Sequence, residues 1–440
     1  MKKARIILIS SLLVLTVILS ACGKADVSES KSESESKSNE PSTSAEADSA
    51  PAKKVKVTLA YWNKEESVKT LLQLVKDKLP DVDLQYQFID NKQYNDIVKT
   101  QLAAGEGPDI ISGLMTDPNL VQANYFEDLT ARFGGKYYDS GTENVTYNGK
   151  LYGLPQASWF NGLFYNVDLF DKYNLKVPKT LDEYFQVAET FIQNGIKPQA
   201  IAFKDMYAPA QSFIALALND YMGTPEGKDF SVAFGKGEMK MADVLEPVLN
   251  TWTEYIKRGI FTKEMLGIDG PQALDEFASG KAAMYQSGAW DMETIKKKSP
   301  NMKIDMFPNL GTKGGPGWMV GGPGVSFGIN KSSEVKEAAF KVLDLLSTPE
   351  GQKAYWQDNQ GGSSFLKDVT FEMPEQYNGA QEAFKAGNVI YPPNVWGVGR
   401  DTTFAELGKG LQDLVAGSKT PHEVLVAADK KQQEMLSKTK

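Results

Sequence analysis

Val55-Lys56-Val57-Thr58-Leu59-Ala60-Tyr61 alternates apolar and polar side chains, the period of a strand with one buried face. Val68, Leu71, Leu72, Val75 and Leu79 then recur at helical spacing until Pro80, which lacks the amide hydrogen that a helix would need. Val82, Leu84, Tyr86 and Phe88 alternate again. Tyr94, Ile97, Val98 and Leu102 share one helix face, closed by Gly105 at the position after the helix, and residues 109–112 form a short apolar strand. Strand, helix, strand, helix, strand is the order of an α/β layer. Ligands in such sheets sit beyond the carboxyl ends of the strands, which makes Trp62, Asn63 and Asp117 candidates for ligand contact.

Apolar patterning continues from this segment to Lys440, a span too long for one compact core, and predicts two lobes. The other direction reads differently. Lys2, Lys3 and Arg5 precede an apolar run at residues 6–19 that is short for a membrane span, the pattern of a secretory signal over residues 1–21. Leu19-Ser20-Ala21-Cys22 at its end resembles the bacterial lipobox, in which the cysteine sulfur takes a diacylglycerol and becomes the first residue of the mature chain. Cys22 is the only cysteine, so the chain forms no internal disulfide and the fold must stand on packing. Residues 22–54 carry Ser, Glu and Lys in alternation without an aromatic, and such a segment buries too little apolar surface to offset its ordering entropy. About 30 such residues span roughly 30 Å as a random coil, a leash between membrane and folded body.

Composition removes several function classes. The formal net charge is −8, and loss of the basic signal leaves the remainder more acidic, which argues against nucleic acid as a partner. With one histidine and one cysteine, zinc sites and Cys-His pairs are excluded by inventory, and no metal or cofactor is expected. His422 follows Pro421 at what reads as a helix start on the surface. The glycine cluster at residues 311–328 does not fit GxGxxG, and no phosphate-binding GxxxxGK[ST] occurs. Carboxylates are plentiful enough for a glycosidase pair, although no spacing marks two of them out.

Gly107-Pro108-Asp109-Ile110, Asn148-Gly149-Lys150-Leu151-Tyr152-Gly153-Leu154-Pro155 and Leu163-Phe164-Tyr165-Asn166 stand in that order. They are followed by Pro178-Lys179-Thr180-Leu181-Asp182-Glu183, by residues 277–284 with Gly288-Ala289-Trp290, and by Gly321-Gly322 ahead of Phe327-Gly328-Ile329-Asn330. The series resembles the extracellular carbohydrate-binding proteins of ABC importers, the maltose-binding-protein-like class of family 1 solute-binding lipoproteins. That resemblance implies a two-lobed periplasmic-binding-protein-like α/β fold of type II whose chain crosses between lobes three times. It puts residues 55–156 and 322–365 in the first lobe and residues 157–320 and 366–440 in the second. Such a multi-crossing hinge lets the lobes close about a ligand. One motif has a reading of its own: Thr180-Leu181-Asp182-Glu183 is a capping box, with Tyr184, Phe185, Ala188, Phe191 and Ile192 as the apolar stripe behind it.

A sugar ring offers an apolar face to an aromatic and a rim of hydroxyls to amides and carboxylates. Trp252, at helical spacing with Val248, Leu249 and Tyr255, reads as core, and Trp356 on a helix opened by Pro349 reads as structural. Trp62, Trp159 and Trp290 have no such stripe and are expected at the cleft. The family resemblance assigns sugar stacking to the residue closing Gly-x-Trp, here Trp290, with Asp291 beside it. It also implies a stacking aromatic in the turn-rich loop that holds Trp396, although the local sequence departs from the family's pattern there. Trp318, among glycines at the second crossing, suits ligand contact or hinge packing alike.

These readings imply a lipid-anchored, extracytoplasmic monomer without catalysis that delivers a sugar, an oligosaccharide by the number of its aromatics, to a membrane permease. The alternatives are a lipid-anchored glycan-active enzyme using a carboxylate pair, and an adhesin or peptide binder on the same scaffold. The anchor has a direct check. Cys22→Ala should abolish metabolic labelling with fatty acid and either release the chain or leave it uncleaved at the membrane. Label that persists on the variant would overturn the lipobox reading.

Overall fold

The structure, a computed structural model, describes residues 54–359, 362 and 364–438; the signal sequence, Cys22 and nearly all of the Ser/Glu-rich segment lie outside the described residues. In chain order the strands are β1 Val55–Tyr61, β2 Val82–Phe88, β3 Ile110–Ser112, β4 Thr146–Tyr147, β5 Lys150–Leu151, β6 Leu154–Pro155 and β7 Trp159–Asn166. They continue with β8 Lys197–Ala200, β9 Ala282–Gly288, β10 Ile304–Phe307, β11 Met319–Gly322, β12 Ser326–Ile329 and β13 Val389–Ile390.

The opening segment forms the elements that its periodicity predicts, with helices at Lys69–Lys78 and Asn91–Ala104 between the strands. Gly105 ends the second helix at φ 76°, where a Cβ would be strained. The first sheet runs β2-β1-β3-β12-β6, with β1 parallel to β2 and β3, and β12 antiparallel to β3 and β6. Its core includes Val57, Leu71, Ile110, Phe133, Phe327 and Leu343.

The second sheet runs β13-β11-β7-β9-β8, and β10 pairs with the second half of β7 on the side where β11 pairs with the first. Seven of the eight residues of β7 are buried, because helices cover both faces of the sheet. Leu163 and Tyr165 point into a large core with Phe203, Trp252 and Phe404, while Phe160 and Phe164 point into another with Phe277 and Tyr377. Trp252 is fully buried as expected, and its indole donates to Ser212 Oγ at 3.0 Å.

Helix Leu181–Gln193 buries Tyr184, Phe185, Ala188 and Phe191 on this core, but Ile192 is exposed. Its cap is only half a box. Thr180 Oγ1 accepts from Glu183 N, whereas the Glu183 carboxylate reaches one residue further back and accepts from Lys179 N at 2.7 Å. His422 lies at the surface in helix Pro421–Ser437, 2.8 Å from Glu246 Oε2.

The chain passes between the two bodies at residues 156–158, at residues 323–325, and again after helix Pro349–Asp358. The first two passages are hydrogen-bonded, Gln156 N donating to Val325 O at 2.9 Å. Gln352 Nε2 donates to Gln156 Oε1, Ser364 Oγ donates to Gln352 Oε1, and all three side chains are buried. Gly362 N donates to Ser158 O. Leu366 and Val369 still pack in the first core and Tyr377 belongs to the second, so the third passage completes beyond the Phe365 boundary expected from the family pattern. Physically, the apolar side chains of residues 366 and 369 find their burial on the near side.

A Cβ on Gly324 would lie 1.9 Å from the Ala157 carbonyl oxygen, backbone that cannot step aside. Gly324→Ala should therefore lower unfolding stability by about 1–3 kcal/mol, as overpacking does, read as a shift of the denaturant midpoint. Gly270→Ala, where a Cβ meets nothing within 4 Å, should leave the midpoint nearly unchanged. Equal midpoints for the two variants would mean that the crossing segments relax freely.

Candidate functional site

A cavity of about 780 Å³ opens between the two bodies. Thr116, Asp117, Ser140, Glu143, Asn144 and Tyr147 line it from the first, and Met222, Lys228, Ser231, Tyr391, Asn394, Arg400 and Asp401 from the second, with Gly321 and Gly322 at the end of β11 and Pro323 at the start of the second crossing between them. Its wall is mixed: aromatic rings and aliphatic carbons, hydroxyls, an amide on each side and both signs of charge.

The carboxyl ends of β1 and β3 are neighbours, as the α/β order requires. Trp62 follows β1 and is packed edge-on against Tyr61 and Tyr94 at 5.0 and 5.1 Å. Its ring lies on Gly113, just past β3, where a Cβ would sit 2.5 Å away. Asn63 Nδ2 donates to Tyr61 OH, and Tyr86 OH donates to Asn63 O. Asp117 caps helix Pro118–Gln122 by accepting from Asn119 N, accepts from Lys99 Nζ at 2.8 Å, and lines the cavity.

From the second body, Trp290, Trp159 and Tyr391 form a row with centroids 6.3 and 5.3 Å apart, which ends at the cavity wall with Tyr391. Trp290 is 47 % exposed and lies on Gly288, where a Cβ would come within 2.1 Å of its ring. Asp291 is turned inward, accepting from Ser287 Oγ and Tyr285 OH at 2.5 and 2.7 Å. Burial raises its carboxyl above the ordinary range, against those two hydrogen bonds. Its role on this geometry is to fix the turn that carries Trp290. Trp318 lies on Gly223, with Lys228 Nζ 5.6 Å over the ring. Trp396 is fully buried between Phe234 and Phe404, while its neighbours Asn394, Val395 and Gly397 line the cavity.

The structure thus groups Trp159, Trp290 and Asp291, sets Trp62, Asn63 and Asp117 on the opposite body, and places Trp396 in the core. Sequence reading passed over Tyr147, Lys228, Tyr391, Arg400 and Asp401. The Pro392-Pro393 and Gly397-Val398-Gly399 turns flag the loop, but not which side chain turns outward. Arg400 donates from Nε and Nη2 to Asp401 at 2.8 and 3.4 Å. Burial works against its charge, but the hydrogen bond and field of Asp401 outweigh it and hold the guanidinium above its ordinary pKa. Burial pushes the Tyr147 phenol up to about 12 against the field of Arg400, and raises Tyr391 in the same way. Among the described residues no group of three or more His, Cys, Asp or Glu could hold a metal ion, and no helix is long and apolar enough to cross a membrane.

Known proteins show the same organisation. The multiple sugar-binding protein of Streptococcus mutans is 25% identical over 368 residues, covering 80% of this chain and 80% of its own. A family 1 extracellular solute-binding protein from Bifidobacterium longum subsp. infantis superposes with a TM-score of 0.68 at 24% identity, covering 87% of this chain and all of its own. A chitin oligosaccharide binding protein does so with a TM-score of 0.71 at 22% identity over 87% of this chain and all of its own. These likenesses establish the two-lobed α/β fold, and the family profile described as bacterial extracellular solute-binding protein matches residues 61–353. The chain belongs to the bacterial extracellular solute-binding protein family.

Proposed function

We propose that the protein captures an oligosaccharide in the cleft between its lobes and delivers it to the membrane permease of an ABC importer, held outside the cell by lipid on Cys22 and acting as a monomer. The observation that carries this reading is the 780 Å³ cavity with one wall from each lobe, an aromatic row running up to it and polar groups on both sides. Aromatic faces suit the C–H faces of pyranoses, and the amides, phenols and guanidinium suit their hydroxyls. Trp62, Trp159, Trp290 and Trp318 supply rings in this reading, Asn63 and Asp117 supply polar groups from the first lobe, and Asp291 acts through Trp290. The Streptococcus mutans relative and the chitin oligosaccharide binding protein carry sugar in their names, which supports the ligand class. The family is one of binding proteins, and the glycan-cleaving alternative lapses with that assignment. The hinge in this reading consists of residues 156–158, residues 323–325 and residues 370–376, between the last residue of the first core and Tyr377 of the second.

A thermal-shift screen over mono- and oligosaccharides tests the ligand class, because a sugar at 100 times its Kd stabilises by about 2.7 kcal/mol. A protein unmoved by every sugar would end the proposal. With the best sugar in hand, Trp290→Ala should weaken binding by about 2–4 kcal/mol in calorimetry, the range for an anchoring aromatic. Since the ring is nearly half exposed, melting without sugar should hardly change. A large fall in melting temperature with unchanged affinity would make Trp290 a packing residue instead. Small-angle scattering should give a smaller radius of gyration at saturating sugar, as hinge closure requires. An unchanged profile would describe a body that does not close.

A further inference from the structure

Arg400 lines the cavity, and one edge of its guanidinium is taken. Its Nε and Nη2 are engaged by the Asp401 carboxylate, the two-pronged geometry by which a guanidinium also recognises a carboxylate on a ligand. Its Nη1 makes no hydrogen bond to another described residue. Arg400 shares the wall with Tyr147 of the first lobe and Tyr391 of the second. The Arg400 side chain is 24% exposed and that of Asp401 69%, so the cation is the more enclosed partner and the anion the more dispensable to packing.

The charges around the cavity are not those of an anion receptor. Asp117, Glu143 and Asp401 line it against Lys228 and Arg400, and Asp117 is itself held by Lys99. A saccharide carboxylate would have to displace Asp401 from the guanidinium and leave that carboxylate unpaired beside its own charge. A neutral diol would meet the open Nη1 edge and the two phenols without displacing anything.

Resting on the sugar-capture reading, we propose that Arg400 anchors the hydroxyls of a neutral saccharide through its Nη1 edge, and that Asp401, by filling the other edge, turns away acidic saccharides such as uronates. Asp401 is thus a specificity residue that acts as a built-in competitor. Discrimination here comes from what the unwanted ligand loses rather than from what the wanted one gains.

The test uses the full chain in detergent, titrated with the neutral trisaccharides raffinose, maltotriose, xylotriose and chitotriose and with trigalacturonate. Wild type should bind at least one neutral trisaccharide and take up trigalacturonate far more weakly. Arg400→Ala should weaken the neutral sugar by about 10- to 100-fold, the effect of losing a charged hydrogen bond, with unliganded melting little changed and partial recovery in Arg400→Lys. Asp401→Asn frees the fork and should gain trigalacturonate binding, which a purely structural pair would not give. Three results would overturn the assignment: wild type preferring trigalacturonate, Arg400→Ala binding the neutral sugar at full strength, or Asp401→Asn still refusing the uronate. Wild type binding none of the five sugars would instead count against oligosaccharide capture itself.

Discussion

The buried side-chain amides of Gln156 and Gln352 tie the first segment that passes between the lobes to the last helix of the first lobe. Two crossing segments meet the chain at and after helix Pro349–Asp358 there, and their buried polar groups have no water to fall back on. Gln156 bonds to Gln352 and Gln352 to Ser364, while the main chains of Gln156 and Val325 and of Ser158 and Gly362 pair directly. An unpaired amide at such depth costs about 1–3 kcal/mol, so the strands are held in one register. Side chains have little room between them, as the contact of Gly324 with the Ala157 carbonyl illustrates.

That register places opposing lobes across one cavity. The first lobe offers the carboxyl ends of parallel strands, the position at which α/β sheets expose polar backbone to ligands. The second offers Tyr391 in the loop after β13, with Trp159 at the start of β7 and Trp290 beyond the end of β9 stacked behind it and off the cavity wall. Charges in the cavity largely arrive already matched, Asp117 with Lys99 and Arg400 with Asp401. The cavity is polar without a strong net field of either sign.

Much of the scaffold was legible in the sequence because its signals are local. Alternation at Val55, Val57 and Leu59 and helical recurrence from Val68 to Leu79 each reflect one buried face, and those elements fall within a residue or two of their expected bounds. Trp252 was legible as core for the same reason. What local pattern does not carry is the direction of a side chain in a turn. Trp396 turns inward to Phe234 and Phe404 because the long helices of the second lobe pack around it, and Tyr391 takes the outward place. Arg400 reaches the site through a chain return from the far end of the sequence, which no spacing near Trp62 or Trp290 announces. Glu183 shows the same limit in miniature: the cap was legible, but the choice of Lys179 N over Thr180 N depends on the path of the preceding loop.

Trp62, Trp290 and Trp318 each rest against a glycine, at Gly113, Gly288 and Gly223. On that side each ring meets main chain with no side chain between, which narrows the room in which it can turn. A free aromatic side chain surrenders about 0.5–1.5 kcal/mol of rotational freedom when a ligand pins it, and these three have little left to surrender. Recognition on such surfaces is preorganised: the entropy that association would otherwise lose in ordering the rings has already been lost in folding. Substitution of any of the three glycines by a larger residue would undo that preorganisation before it touched a single ligand contact.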